Sequence, residues 1–388
     1  MKTRSQIALT SLALLLAGTS LLTSTPIVKA EATQDVTNSL QASTQKNHND
    51  LEQAMRDTLQ FGAPGILAKT TEGDKTWSYA AGVADLNTKK PMDANFQFRI
   101  GSVTKTFIST VVLQLVGENR LNLDDSIEKW LPGVVQGNGY DGNHITIRQL
   151  LNHTSGVAEY LRSRNINVLD PTKSYTAEEI VKIGLSFPPD FAPGNDWSYS
   201  NTGYVILGIL IEKVTGNTYA EEIKERIIKP LELSNTFLPG NSAVIPGDNH
   251  AQGYIQIAGL PELLDCTYFN PSIASSSGDM ISTADDLNKF FSVLLGGQLL
   301  KESQLKEMLT SVPTAKGDTV NRYGLGISET KLKNGVSVWG HTGGIPGFRT
   351  LVGGTLGGKH IMTININYMG GAHILDSFDY MLFTEFGN

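Results

Sequence analysis

The sequence predicts an α+β fold in which a mixed lobe is interrupted by a helical one. Three observations lead there. Helix-like and strand-like patterns alternate up to about residue 120, helical segments broken by Gly and Pro fill residues 121–246, and strand-like runs return from residue 247. The composition is 40% hydrophobic and 18% charged, with 39 Gly and 15 Pro among 388 residues. That suits a globular chain with either one large domain or two lobes around a shared cleft.

The chain opens with Lys2 and Arg4, then an apolar run from Ile7 to Leu22, then Val28-Lys29-Ala30. A basic start, a short apolar core and a small-residue site predict a secretory signal peptide over residues 1–30. The run is short and broken by Thr10, Ser11, Gly18, Thr19 and Ser20, which disfavours a membrane anchor. Residues 31–49 are rich in Ser, Thr, Gln and Asn and read as a flexible leader. The expectation is therefore a secreted protein whose working part is residues 50–388, with a mixed lobe at 50–120 and 247–388 and a helical lobe at 121–246.

Within the first part of the mixed lobe, Leu51, Met55 and Leu59 give a helix over Asp50–Gln60. A hairpin follows, Ile66–Thr70 with Trp77–Gly82, joined at Glu72-Gly73-Asp74. Phe107, Ile108, Val111, Val112, Leu115 and Val116 make the next helix apolar over a wide face, so it belongs in the centre. In the helical lobe, Thr176-Ala177-Glu178-Glu179 is a capping box, and an apolar helix from Tyr204 to Val214 is ended by Gly216. Later, Ser282 or Thr283 caps a helix over Ala284–Leu295. Tyr323–Ser328, Val336–Gly340, Thr350–Gly353 and His360–Asn367 read as strands, and His373–Phe386 as a closing helix. With no apolar tail after it, a released protein is expected rather than an anchored one.

Three short motifs carry chemistry. Phe98 to Lys105 (F-R-I-G-S-V-T-K) puts Ser102 three residues before Lys105, one turn along the same helix face. A serine hydroxyl needs a base, and a buried lysine, its pKa lowered by desolvation, can be one. At a helix start, the N–H of Ser102 also faces a developing oxyanion. The spacing is not specific: Ser43/Lys46, Ser126/Lys129, Ser303/Lys306 and Ser328/Lys331 share it. Tyr199-Ser200-Asn201 sits between a Pro-Gly turn and a helix. It offers a phenol for acid or base work and an amide for holding a peptide and the lysine together. Tyr268-Phe269-Asn270 has the same form. Gly340-His341-Thr342-Gly343-Gly344 closes a strand-like run, with glycines that let a substrate backbone lie close. His153 has a similar setting and reads as structural, and Cys266, the one cysteine, reads as a small packed residue.

In this order, and with the contexts I-R-Q-L-L-N-H-T-S-G (Ile147–Gly156), P-G-N-D-W-S-Y-S-N-T-G-Y (Pro193–Tyr204) and I-S-T-A-D-D-L (Ile281–Leu287), the chain resembles the penicillin-recognising serine hydrolases from about Leu51 to Phe386. It is most similar to the branch of class C β-lactamases, soluble D-Ala-D-Ala carboxypeptidases, D-specific peptidases and esterases, and over its whole length to the alkaline D-peptidases of Bacillus. The resemblance implies an antiparallel sheet flanked by helices plus an all-helical lobe, the β-lactamase/transpeptidase-like fold, with the site between them. It implies Ser102 as acylated nucleophile, Lys105 as its proton partner and Tyr199 as second acid/base group. Asn201, His341, Thr342 and Gly343 would bind substrate, and the N–H groups of Ser102 and Gly344 would form the oxyanion hole. Whether Lys105 or Tyr199 takes the first proton stays open.

One departure bears on substrate. In Streptomyces-type carboxypeptidases an arginine just after the G-x-G-x strand reads the terminal carboxylate, whereas Gly324-Leu325-Gly326-Ile327 here is followed by Ser328-Glu329-Thr330. A carboxylate is expected to meet Glu329, with Arg322 or Arg349 as substitutes from a neighbouring strand. The function expected is thus a D-stereospecific endopeptidase acting on D-amino-acid peptides, with peptidoglycan stem peptides in range and β-lactams as substrate analogues. A D-Ala-D-Ala carboxypeptidase-like mode, a β-lactamase, an esterase and a non-catalytic penicillin-binding protein are the alternatives. No metal site or cofactor motif is seen. Without residues 1–30 the formal charge goes from −7 to −10, 28 bases against 38 acids, so nucleic acid is set aside as a partner.

Overall fold

The computed structural model describes residues 48–387 apart from 168, 171 and 372. The expected signal peptide and nearly all of the expected leader lie outside the described residues, but Asn49 already opens helix α1 (Asn49–Gln60).

The hairpin forms as β1 (Gly65–Glu72) and β2 (Lys75–Gly82). Both join an eight-stranded sheet with β3 (Val312–Pro313), β4 (Asn321–Tyr323), β5 (Ser328–Lys331), β6 (Ser337–Ile345), β7 (Phe348–Gly354) and β8 (His360–Ile366). The order is β2-β1-β8-β7-β6-β5-β4-β3 and every pairing is antiparallel. Side chains alternate between its faces. Ile66 and Ala68 pack with Leu51 and Met55 of α1 and with Phe378 and Met381 of the closing helix, while Leu67 between them belongs to the other core.

That second core holds α2 (Thr104–Gly117), which is buried on nearly every side, as its apolar sequence requires. Ahead of it, Phe98-Arg99 pairs with Ile281-Ser282, so the segment leading to Ser102 is fixed between that short strand and the sheet. The helical lobe contributes α3 (Ala177–Leu185), with the capping box formed at Thr176, and α4 (Asn201–Thr215). Ser200 caps α4 by accepting from Gly203 N, and Gly216 ends it at φ +81°. Then come α5 (Ala284–Leu295), capped by Thr283, and α6 (His373–Phe386). Ile147, Ile180 and Ile206 of the helical lobe share one continuous core with Phe107, Ile281 and Val352.

Two strand readings need correction. Tyr323–Ser328 is not one strand: β4 ends at Tyr323 and β5 begins at Ser328, with Gly324–Ile327 as the turn between them. Gly324 N donates to Ile327 O at 2.7 Å, Gly326 takes φ +74°, and its carbonyl accepts from Thr106 Oγ1 at 2.7 Å. Spaced glycines mimic a strand pattern, but a positive φ turns the chain. In the other direction, β6 does not stop at Gly340 but carries the His-Thr-Gly-Gly residues within its span.

The ring of Phe107 stacks on Phe290 of α5 with centroids 3.8 Å apart, tying α2 to the layer above the sheet. Phe107→Ala should cost about 3–5 kcal/mol of stability, read as a lower urea midpoint with little change in slope.

Candidate active site

Ser102 lies in a 3-10 turn, Gly101–Val103, that feeds directly into α2. Two glycines bring this turn against β6. A Cβ on Gly101, which has φ +53°, would stand 2.9 Å from Gly344 N, and one on Gly343 would stand 1.9 Å from Ile100 O and 3.4 Å from Ser102 N. Backbone contact at this range needs residues without side chains. It lays Gly343 and Gly344 of β6 directly against the turn that carries Ser102.

Lys105, one helical turn on, is 0% exposed. Its Nζ lies 3.2 Å from Ser102 Oγ, 2.6 Å from Asn201 Oδ1 and 2.7 Å from Ser277 O. Burial lowers its pKa to about 7, against the opposing pull of Glu159. A neutral amine has two N–H donors and one lone pair. The carbonyls of Asn201 and Ser277 accept only, so they take the two donors and leave the lone pair toward the Ser102 hydroxyl. Tyr199 stands over the same group, its ring centroid 4.9 Å from Lys105 Nζ. Burial pushes the Tyr199 phenol well above its usual range, although the Ser102 side chain hydrogen-bonds to it. Near neutrality Tyr199 therefore keeps its proton, and Lys105 is the group able to accept one.

Asn201 is the first residue of α4 and is buried, with its side-chain amide donating to Glu159 Oε2 at 3.0 Å. His341 is also buried. Its Nδ1–H donates to Thr342 O at 2.5 Å, leaving Nε2 to accept from Tyr323 O–H at 2.8 Å. Burial, followed by nearby Lys105, lowers its pKa to about 3 despite the bond to Thr342, so it is a neutral hydrogen-bonding group. Next to Ser102 a partly open pocket lies between Tyr160, Leu161, Phe269, Ile273, Ile345 and Pro346.

The structure thus brings Ser102, Lys105, Tyr199 and Asn201 together and lays Gly343 and Gly344 against the serine turn. Thr342 alternates to the face of β6 away from His341 and is exposed. His153 is buried at φ +65° and its Nδ1 accepts from Ser200 N at 3.2 Å, the structural role expected of it. Tyr268 is exposed and Asn270 caps a 3-10 turn, so the second Tyr-x-Asn takes no part. Cys266 is buried and its thiol is pushed up to about 12, chiefly by that burial.

The expected meeting of a substrate carboxylate with Glu329 is corrected. Glu329 is buried and accepts from the hydroxyls of Ser311 and Ser337, so it is already occupied. Arg322 is bound to Ser311 as well. Arg349 is buried on the sheet face of Leu351, in register with Gly344, and does not line the cavity. Sequence reading missed Glu159, the Ser277 carbonyl and Tyr323. Only Glu159 left a trace: it is an acid inside the otherwise apolar run Val157–Leu161. Among the described residues, no three His, Cys, Asp or Glu side chains are grouped as a metal would need, and no helix is long and apolar enough to cross a membrane.

A sequence profile of the Beta-lactamase family matches residues 49–378. The chain belongs to that family. Penicillin-binding protein 4* of Bacillus subtilis (strain 168) is 30% identical over 321 residues, which is 79% of this chain and 68% of that protein. The matches to three further curated relatives cover 48%, 64% and 53% of those proteins' lengths. Among solved structures, a D-stereospecific amidohydrolase from Streptomyces sp. superposes with TM-score 0.81 at 39% identity, over 88% of this chain and 100% of the other. The D-amino acid amidase from Ochrobactrum anthropi SV3, complexed with L-phenylalanine, superposes with TM-score 0.77 at 28% identity, over 87% and 98%. This β-lactamase-family protein is a serine hydrolase of the penicillin-recognising superfamily.

Its pH dependence follows from the three buried groups. Protonated Lys105 cannot accept the Ser102 proton, so kcat/KM should fall about tenfold per pH unit below roughly pH 7 and hold on the alkaline side. His341, already neutral, should add no second acid limb. A limb lost in His341→Gln but present in the parent enzyme would contradict this.

Proposed function

We propose that the protein is a secreted, D-stereospecific serine peptidase that cleaves within D-amino-acid peptides through an acyl-enzyme on Ser102. The observation that carries the reading is the buried Lys105 amine, held by two carbonyl acceptors and 3.2 Å from the serine hydroxyl. In this reading Ser102 Oγ attacks the scissile carbonyl as Lys105 takes its proton. The N–H groups of Ser102 and Gly344 stabilise the oxyanion. Tyr199, still a phenol, relays a proton to the departing amine, and water then hydrolyses the ester.

The substrate class rests on two supports. Relatives bearing the names amidohydrolase and amidase are D-specific by those names. The pocket beside Ser102 is walled mainly by apolar side chains, which favours an uncharged side chain on the acyl side of the bond. Cleavage inside a peptide is favoured over removal of a terminal D-alanine because the side chain in the His-Thr-Gly position is neutral and Arg322, Glu329 and Arg349 are engaged elsewhere or turned away. Peptidoglycan stem peptides, which carry D-alanine, fall in the proposed class.

The test is a D-phenylalanine tetrapeptide and its L counterpart, together with intact-mass analysis after penicillin treatment. The D-peptide should be cut and the L-peptide left, a penicillin adduct should map to Ser102, and Ser102→Ala should lose both activities by at least about 1000-fold. Equal cleavage of the two peptides, or activity surviving in Ser102→Ala, would overturn the proposal.

A further inference from the structure

Beside the acyl-transfer groups stands an ionisable side chain to which the mechanism above gives no role. Glu159 is 2% exposed and sits in the loop before a short turn at Tyr160–Arg162. Its Oε1 accepts from Leu161 N at 3.0 Å, and its Oε2 accepts from Asn201 N at 2.7 Å and from Asn201 Nδ2 at 3.0 Å. Both oxygens accept and neither has an acceptor of its own to serve, which is the pattern of a carboxylate.

A side-chain amide has a donor end and an acceptor end of nearly equal shape, so its direction must be imposed from outside. With Nδ2 committed to Glu159, only Oδ1 of Asn201 is left to meet Lys105 Nζ, at 2.6 Å. If the amide turned over, its NH2 would face the amine, and the lone pair of Lys105 would be drawn toward Asn201 and away from Ser102. We propose that Glu159 is a positioning residue for acyl transfer, holding the Asn201 amide one way round so that the Lys105 lone pair stays on the serine. The inference rests on the reading of Ser102 and Lys105 given above.

Glu159 also acts at longer range. Its charge favours the protonated amine and so keeps Lys105 more basic than burial alone would leave it. The other ionisable groups around the pair are Arg162, Tyr160 and Tyr199 near the carboxylate, and His153, His341 and Tyr204 near the amine. Both histidines are held neutral by burial, and all three phenols are pushed up and stay protonated, so none of these changes charge near neutrality.

The experiment measures kcat and KM for the D-phenylalanine tetrapeptide from pH 5 to 10. The variants are Glu159→Met, Glu159→Gln, Asn201→Ala and the Glu159→Met/Asn201→Ala double, with Ser102→Ala as control. Methionine keeps the volume and removes both acceptor and charge; it should lower kcat on the order of 100-fold with little change in KM. Glutamine keeps one acceptor and removes the charge, so it should lose less and move the acid limb about one pH unit lower. The double variant should be no slower than Asn201→Ala alone, because the two act in series. Parental kcat and acid limb in both Glu159 variants, or additive losses in the double, would overturn the proposal. If Glu159→Met does not fold, the limb of Glu159→Gln decides it. Activity remaining in Ser102→Ala would instead remove the nucleophile assignment, so the two failures are told apart.

Discussion

A lysine without solvent is the constraint around which this site is arranged. An isolated ammonium moved into a protein interior is strongly disfavoured, and the usual outcome is that it gives up its proton. Lys105 has no exposed surface, and the chain meets the difficulty with hydrogen bonds from remote segments. Asn201 supplies an acceptor from the start of α4 and Ser277 supplies one from the turn ahead of α5, 96 and 172 residues away along the chain. The inserted helical lobe is thus part of how one amine is kept inside the molecule in a reactive form. The same burial that makes the amine costly also makes it a base.

The groups around Lys105 are sorted by the same physics. Desolvation acts in opposite directions on acids and bases: it pushes the phenol of Tyr199 up and draws His341 and His153 down. All three are therefore uncharged at ordinary pH. Tyr323 completes the arrangement by giving the neutral His341 ring a donor, which fixes its tautomer without a charge. A neutral His341 thus offers a hydrogen bond of fixed direction rather than a charge.

Much of this was legible from the sequence, and the reasons are local. Ser102 and Lys105 are three residues apart across the junction of a 3-10 turn and α2, so their relation is set locally. Capping residues such as Thr176 and Thr283 declare their helices within a few positions. What the sequence hid is what the fold joins across distance. Glu159 contacts Asn201 across 42 positions, and Ser277 contributes a carbonyl, an atom every residue has. Gly324 to Ile327 misled because alternating glycines look like strand while their φ values decide otherwise. Glu329 misled because position after a motif says nothing of where a side chain turns, and Ser311 and Ser337 were already its partners.

The uninterrupted core beneath both lobes has a consequence for selectivity. Enzymes that clamp shut over their substrates can use closure itself as a check on identity. Here Ile180, Ile206, Phe107 and Val352 lie in one packed interior, so swinging the lobes apart would break apolar contacts that hold the whole domain. The cleft is a preformed mould. A ligand is then selected by its fit to fixed walls, and a change of preference is more directly sought by resizing Phe269, Ile273 or Leu161 than by loosening a joint.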